Sequence, residues 1–129
     1  MIRKKFEVQA PDIDLPYNIR LEQNTAQQIK SARKNSGDSW VPWVRSAIKR
    51  LRDESPVEIE SLLRQAQLVT GSRKDKVSLP FRVNTADIDT VRALSAQYGA
   101  RMQAVLIAAM HLYSFVSSME LPDEHGIEN

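Results

Sequence analysis

The stretch that decides the fold runs from residue 15 to residue 21 and reads Leu15-Pro16-Tyr17-Asn18-Ile19-Arg20-Leu21. Its apolar side chains stand at every second position. They therefore share one face of an extended strand, while Pro16, Asn18 and Arg20 share the other. A single strand of this length is not stable alone, because its backbone groups and its apolar face both need partners. The sequence therefore predicts a second strand elsewhere in the chain.

That second strand is predicted where the alternation returns, in the stretch Leu79-Pro80-Phe81-Arg82-Val83-Asn84. Here Leu79, Phe81 and Val83 face one way, and the residues between them face the other. Each strand contains a proline, which has no N–H to donate and is therefore confined to edges and strand ends. Two prolines favour a narrow two-stranded antiparallel ribbon over a broad sheet.

Each predicted strand is followed by two helical patterns that are separated by a glycine, Gly37 in the first repeat and Gly99 in the second. Glycine is the residue that most often ends a helix in the left-handed conformation. When the two prolines are aligned, the connection from strand to helix is two residues longer in the first repeat. The two tryptophans, Trp40 and Trp43, fall at core spacing and are assigned to the core rather than to base stacking.

The predicted fold is mostly α with a short two-stranded antiparallel ribbon, built as a tandem pair of similar units. We divide the chain into a basic N-terminal arm (1–13), a first unit (14–54), a linker helix (55–75), a second unit (76–116) and an acidic tail (117–129) that we expect to be mobile. The linker helix has a fairly specific start signal, Ser55-Pro56-Val57-Glu58, in which serine caps the helix and glutamate stands three positions later.

Charge is distributed unevenly over the 129 residues, although the net charge is only +2. Residues 1–54 carry 11 Lys and Arg against 7 Asp and Glu, whereas residues 77–129 carry 3 against 6. A basic half suggests a polyanionic partner. Cysteine is absent, which excludes a disulfide scaffold and thiol catalysis.

The order of strand, helix, glycine turn and helix resembles the ribbon-helix-helix family of DNA-binding proteins, which includes the Arc and MetJ repressors. The segments that carry the resemblance are Tyr17-Asn18-Ile19-Arg20 and Lys34-Asn35-Ser36-Gly37-Asp38-Ser39. They look like the strand of Arc and its turn before the second helix. Two units in one chain are similar in plan to the tandem TraY-type proteins of conjugative plasmids.

The resemblance implies that the ribbon enters the DNA major groove and that its outward side chains read base edges. Arginine matches the acceptors of guanine, and asparagine matches adenine. The residues implied as base readers are Asn18, Arg20, Arg82 and Asn84, with proline at the first outward position of each strand. Those implied as DNA-backbone contacts are Ser39, Arg101, Arg3, Lys4 and Lys5. The expected partner is double-stranded DNA, with self-association on the DNA as a further expectation, and the repeats differ enough to predict an asymmetric site.

No catalytic or metal-binding pattern accompanies these residues in the sequence. His111 and His125 lie far apart and lack further ligands at metal spacing. Glu58 and Glu60 point in different directions on a helix, and no Gly-rich phosphate loop is present. We therefore expect no enzymatic activity, no cofactor, no metal and no small-molecule substrate.

The function expected from the sequence is sequence-specific binding of double-stranded DNA, as a transcriptional repressor or as an accessory protein on plasmid or phage DNA. The alternative is a protein-interaction module, antitoxin-like or an inhibitor, that uses the acidic second repeat and tail. The chain has no signal-peptide pattern and no apolar run of about 18 residues, so we expect a cytoplasmic protein without a membrane span.

Overall fold

The computed structural model describes residues 12–69 and 76–128, and the side chains of 68, 69 and 118–128 are not among the described ones. The elements in chain order are β1 (Asp14–Glu22), α1 (Gln23–Ser36), α2 (Trp40–Arg52), α3 (Pro56–Val69), β2 (Lys76–Asn84), α4 (Thr85–Tyr98) and α5 (Met102–Glu128). The expectation of a mostly helical fold with one two-stranded antiparallel sheet is confirmed. No helix of the described residues is long and apolar enough to cross a membrane.

The two strands pair antiparallel over their whole length, in a register that runs from Asp14 opposite Asn84 to Glu22 opposite Lys76. The alternation in sequence is reproduced in burial. The inward side chains that are buried are Ile19, Leu21, Leu79, Phe81 and Val83. The residues between them project away from the core. This outward face of the ribbon is therefore the polar one.

Both prolines occupy positions where a missing N–H costs no bond between the strands. The backbone N–H of Arg20 points away from β2, because it donates to Oε1 of Gln103 at 2.8 Å. Residues two and four positions away in a strand direct their N–H groups to the same side, so the nitrogen of Pro16 also lies on the outer edge. Pro80 pairs with Asn18 in the same alternation and lies on the opposite outer edge.

Corresponding elements of the two repeats begin 62 residues apart: the strands at 14 and 76, the first helices at 23 and 85, and the second helices at 40 and 102. Each helix follows its strand directly, so the prediction of a connection two residues longer in the first repeat is wrong. That prediction aligned Pro16 with Pro80 by identity. Burial aligns Ile19 with Phe81 and Leu21 with Val83 instead.

The glycine turns have the predicted conformation. Gly37 has φ of 82° and Gly99 has φ of 64°, and both cap the preceding helix in the left-handed region. Helix α1 begins at Gln23, directly after the strand, and its N-cap residue Glu22 makes no side-chain bond to the helix. Thr25 instead donates its hydroxyl to Oε1 of Glu22 at 3.3 Å.

Helix α5 is the centre of the molecule. It packs against α1, α2, α3, α4 and β1, and every residue from Ala104 to Met110 is buried. A helix that is covered on all sides is apolar all round, as this segment is. Its partner α2 contributes Trp43, whose side chain is fully buried and lies 5.2 Å from the ring of Tyr113. The assignment of Trp43 to the core is therefore confirmed, and Trp40 packs half-buried at the margin of that core.

Helix α5 runs to Glu128, well past the end near Val116 that the sequence suggested. No glycine or proline occurs between Met102 and Glu120, so nothing in that stretch ends the helix. Of the basic arm, residues 1–11 lie outside the described part of the chain. Ile13, the last residue of the arm, is held to the start of α4, because Thr85 donates its backbone N–H to the carbonyl of Ile13 at 2.9 Å.

Candidate nucleic-acid interface

The outward face of the ribbon consists of five facing pairs of side chains. Following the register, they are Asp14 and Asn84, Pro16 and Arg82, Asn18 and Pro80, Arg20 and Ser78, and Glu22 and Lys76. All are exposed except Asn84 and Lys76, which are half-buried. Arg82 belongs to the second pair and Arg20 to the fourth. The first and the fifth pair each contain one acidic residue. The two arginines therefore lie on either side of the uncharged central pair, and Lys76 faces Glu22 at one end.

Arg20 and Arg82 lie 62 residues apart and thus occupy corresponding positions of the two strands. Their facing pairs are separated by four residues along the ribbon, which is about 13 Å at the rise of a β-strand. The guanidinium of Arg82 donates through Nη2 to the carbonyl of Asp14 at 3.2 Å. The guanidinium of Arg20 has no partner among the described residues. Both forks remain exposed and offer donors to an acceptor such as guanine.

Asn18 is linked to a residue that the sequence analysis did not select. The hydroxyl of Ser78 donates to Oδ1 of Asn18 at 2.9 Å, across the ribbon. Ser78 shares the outward face with Pro80 and Arg82, so the alternation alone is a signal that could have identified it. With its oxygen engaged, the amide of Asn18 presents its NH₂ group to a ligand.

Asn84 is held by the fold at both ends of its amide. Its Oδ1 accepts from the backbone N–H of Ala86 at 2.9 Å and so caps α4. Its Nδ2 donates to a carboxylate oxygen of Asp14 at 3.0 Å. Reading adenine requires both the oxygen and the NH₂ group of the amide. Among the four residues implied as base readers, Asn84 is therefore the one whose amide oxygen and NH₂ group are both engaged.

The starts of α2 and α5 lie beside the ribbon, one on each side. Gln103 in the first turn of α5 bonds to the edge of β1, as described above. Trp40 at the start of α2 contacts Phe81 of β2, with 5.8 Å between the ring centroids. Each second helix thus begins next to the strand of the other repeat. The ribbon is flanked by two helix N-termini, where backbone N–H groups and the helix dipole favour anions.

Ser39 is the N-cap residue of α2 and is exposed, and its hydroxyl makes no bond to the helix. The N–H groups of Trp40 and Val41 are among those that a helix cannot satisfy internally. Neither the first turn of α2 nor that of α5 contains an acidic residue. The N-terminus of α2 therefore offers backbone donors to an anion, next to the exposed acidic side chain of Asp38.

A basic side chain that the sequence analysis did not select supports this turn. The guanidinium of Arg33 lies 4.9 Å above the ring of Trp40 and donates through Nη1 to the carbonyl of Asp38 at 3.2 Å. Cation–π contact and this hydrogen bond hold its positive charge near the start of α2. No sequence pattern indicated this pairing, because it joins the end of one helix to the start of the next across Gly37.

Arg101 takes the corresponding place at the start of α5, 62 residues after Ser39. It is exposed, and its carbonyl accepts the N–H of Val105 at 3.1 Å, which makes it the residue that precedes the first helical turn. Its guanidinium places a positive charge at the start of α5, whereas the side chain of Ser39 at the start of α2 is neutral. Arg3, Lys4 and Lys5, the remaining predicted backbone contacts, lie outside the described residues.

No group of three metal-ligating side chains occurs in the described part of the chain. His111 is exposed by area, although partial burial lowers the pKa of its imidazole and the nearby Glu22 carboxylate acts in the opposite direction. It lies on α5, near Glu22 at the end of β1. The side chain of His125 is not among the described ones.

Comparison of the chain with protein-family models, with curated proteins and with solved structures found no significant match.

Proposed function

We propose that this protein binds double-stranded DNA by inserting its two-stranded ribbon into the major groove. The observation that carries the proposal is the arrangement of the ribbon. It exposes two arginines on its outward face, and each of its edges is flanked by the N-terminus of a helix. A ribbon of two strands fits the major groove, where all four base pairs are distinguishable. The flanking helix starts are suited to the phosphates on either side.

The two repeats act in this proposal as the halves of a pseudo-dimer of the ribbon-helix-helix type. With a constant offset of 62 residues, the register makes Asn18 opposite Pro80 the pair that an internal two-fold axis would map onto itself. Arg20 and Arg82 are then symmetry mates on either side of that axis. By this symmetry Asn18 corresponds to Pro80, and Ser78 corresponds to Pro16. The two halves of the ribbon therefore carry different side chains next to the two-fold axis.

The DNA contacts follow from these positions. Arg20 and Arg82 read bases, with guanine the preferred partner, and Asn18 oriented by Ser78 reads a base near the centre. Ser39 with the N–H groups of α2, Arg101 and the arm residues Arg3, Lys4 and Lys5 contact the backbone. Asn84 contributes by capping α4. The protein acts inside the cell as a repressor or as an accessory factor in DNA processing.

The test is fluorescence anisotropy with random-sequence duplexes and with DNA from upstream of the protein's own gene, across a salt series. Wild type should bind one duplex preferentially, with affinity that falls steeply as salt rises, because phosphate contacts release counterions. The Arg20→Ala/Arg82→Ala variant should lose that preference, since each bidentate contact with a guanine contributes about 1–3 kcal/mol of discrimination.

The matched control is Lys49→Ala/Arg92→Ala, which also removes two positive charges. Both residues are exposed on helices, and among the described residues each pairs with a carboxylate close in sequence, Lys49 with Asp53 and Arg92 with Asp89. This variant should keep the sequence preference of the wild type. Absence of binding even at low salt would refute the proposal and direct attention to protein partners of the acidic half.

A further inference from the structure

An open groove of about 310 Å³ lies between α1, α3 and α5. Its walls are mainly apolar and include Leu62 of α3 and Ile107, Leu112 and Phe115 of α5. Phe115 is 55% exposed, which is unusual for so large an apolar side chain in this protein. A pocket of this volume with apolar walls and a few polar groups is typical of small-molecule sites.

At the matching positions of α2 and α4, the other half of the molecule carries an ion pair, in which the side chain of Arg45 is 54% exposed and that of Asp87 is 11% exposed. Arg45, the sixth residue of α2, donates through Nε to both carboxylate oxygens of Asp87, the third residue of α4, at 3.1 and 3.3 Å. The sixth residue of α5 is Ile107 and the third residue of α1 is Thr25, and these two line the groove. One of the two matching pairs of positions thus holds Arg45 and Asp87. The other holds Ile107 and Thr25, which form no ion pair.

The polar groups at this groove favour a positive charge. Thr25 donates its hydroxyl to the carboxylate of Glu22 at 3.3 Å, which places a negative charge at the groove's edge. The other polar side chains among the described lining residues are Gln65 and His111, and burial lowers the pKa of His111, which disfavours a positive charge on its ring. Among the described residues that line the groove, none is a lysine or an arginine.

We propose that this groove binds a small amphipathic cation, with an apolar body against Ile107, Leu112 and Phe115 and an amino or guanidino group directed to Glu22. The internal precedent is Arg45, whose aliphatic stem and guanidinium occupy the matching position against Asp87. The ligand would supply the cationic group that Ile107, at the position matching Arg45, does not carry. This site does not depend on the proposed DNA binding.

The experiment is a titration of the isotope-labelled full chain by ¹H–¹⁵N NMR. The probes are 4-phenylbutylamine and its uncharged match, 4-phenylbutan-1-ol. Both should shift the amide signals of Ile107, Ala108 and Leu112 saturably. The amine should bind about two- to fivefold more tightly, the range that one exposed ion pair supplies. Amide signals of the ribbon's outward face should move less than those of the groove.

Two variants separate the charge from the cavity. Glu22→Gln, an exposed and conservative change, should abolish the preference for the amine and leave the affinity for the alcohol unchanged. Its control is Glu58→Gln, which removes an exposed carboxylate at the start of α3 and should keep the preference. Phe115→Ala, which removes a half-exposed apolar side chain from the wall of the groove, should weaken the binding of both probes.

Three results would overturn the proposal. One is the absence of saturable shifts at the groove with either probe. Another is equal affinity of the wild type for the amine and the alcohol. The third is a shift of the same signals with protein concentration alone, which would assign the groove to contact with a second copy of the chain. None of these results would bear on the proposed DNA binding, which is tested separately by anisotropy.

Discussion

Asn84 illustrates how one residue type serves two roles that a sequence does not separate. The sequence offers an outward asparagine at the end of a strand, and this suits both a base reader and an N-cap. The structure uses its oxygen for the N–H of Ala86 and its NH₂ group for Asp14. A buried or half-buried polar group that already has partners loses them if it turns to DNA.

Replacing Asn84 distinguishes the two roles. Asn84→Ala should lower the free energy of unfolding by about 1 kcal/mol, the usual value of an N-cap bond, as measured by urea denaturation. Asn84→Ser should recover most of that loss, because serine is an equally good cap. Both variants should keep the base preference of the wild type in the anisotropy assay. A loss of preference in the serine variant would show that Asn84 reads DNA.

At the scale of elements, the two glycine turns determine where α1 and α4 end. Gly37 and Gly99 have positive φ, and a Cβ added at either would meet nothing within 4 Å. The requirement for glycine is therefore conformational rather than a matter of space. Each turn also directs the following helix towards the ribbon. The placement of the N-termini of α2 and α5 beside the ribbon therefore depends on these turns.

Substitution of either glycine should carry a purely backbone cost. Gly37→Ala and Gly99→Ala should each lower the free energy of unfolding by about 1–2 kcal/mol, the cost of the left-handed conformation for an L-residue. Gln97→Ala, an exposed position near the end of α4, should change it by less than about 0.5 kcal/mol. Chemical denaturation measures all three. Equal stability of the glycine and glutamine variants would contradict this account.

Most elements could be predicted from the sequence, since alternation, helical stripes and glycines are local signals. The alignment of the two strands could not, because Pro16 and Pro80 gave a misleading identity, while the matching burial of Ile19 and Phe81 becomes visible only in the folded ribbon. For the candidate site, the outward arginines followed from alternation. Arg33 and the open groove did not, because periodicity shows which face of a helix is apolar without showing what packs against it.

At the scale of the whole molecule, neither repeat has a core of its own. Helix α5 of the second half packs on α1 and α2 of the first, and α2 in turn packs on β2. The aromatic ring of Trp43 meets Tyr113 across this boundary. The halves therefore share one hydrophobic core, and a change in either is felt in both.

A core substitution in the second half should destabilise the first half equally. Leu106 is fully buried in α5, so Leu106→Ala should cost about 2–5 kcal/mol. Tryptophan fluorescence, which reports on the first half, and circular dichroism, which reports on all helices, should shift to the same lower urea midpoint. Val57→Ala, at a side chain that is 75% exposed, is the control and should leave the midpoint near that of the wild type. Separate midpoints for the two probes would show that the halves unfold independently.

The outer edges of the ribbon have a consequence for the protein's solubility. An exposed strand edge recruits strands from other copies of a chain, which is a common start of aggregation. Here each strand has a proline whose nitrogen lies on the outer edge, and Gln103 occupies the outward N–H of Arg20. The ribbon therefore presents a broken row of donors to any approaching strand. This allows a two-stranded sheet to keep one face uncovered without becoming a template for fibrils.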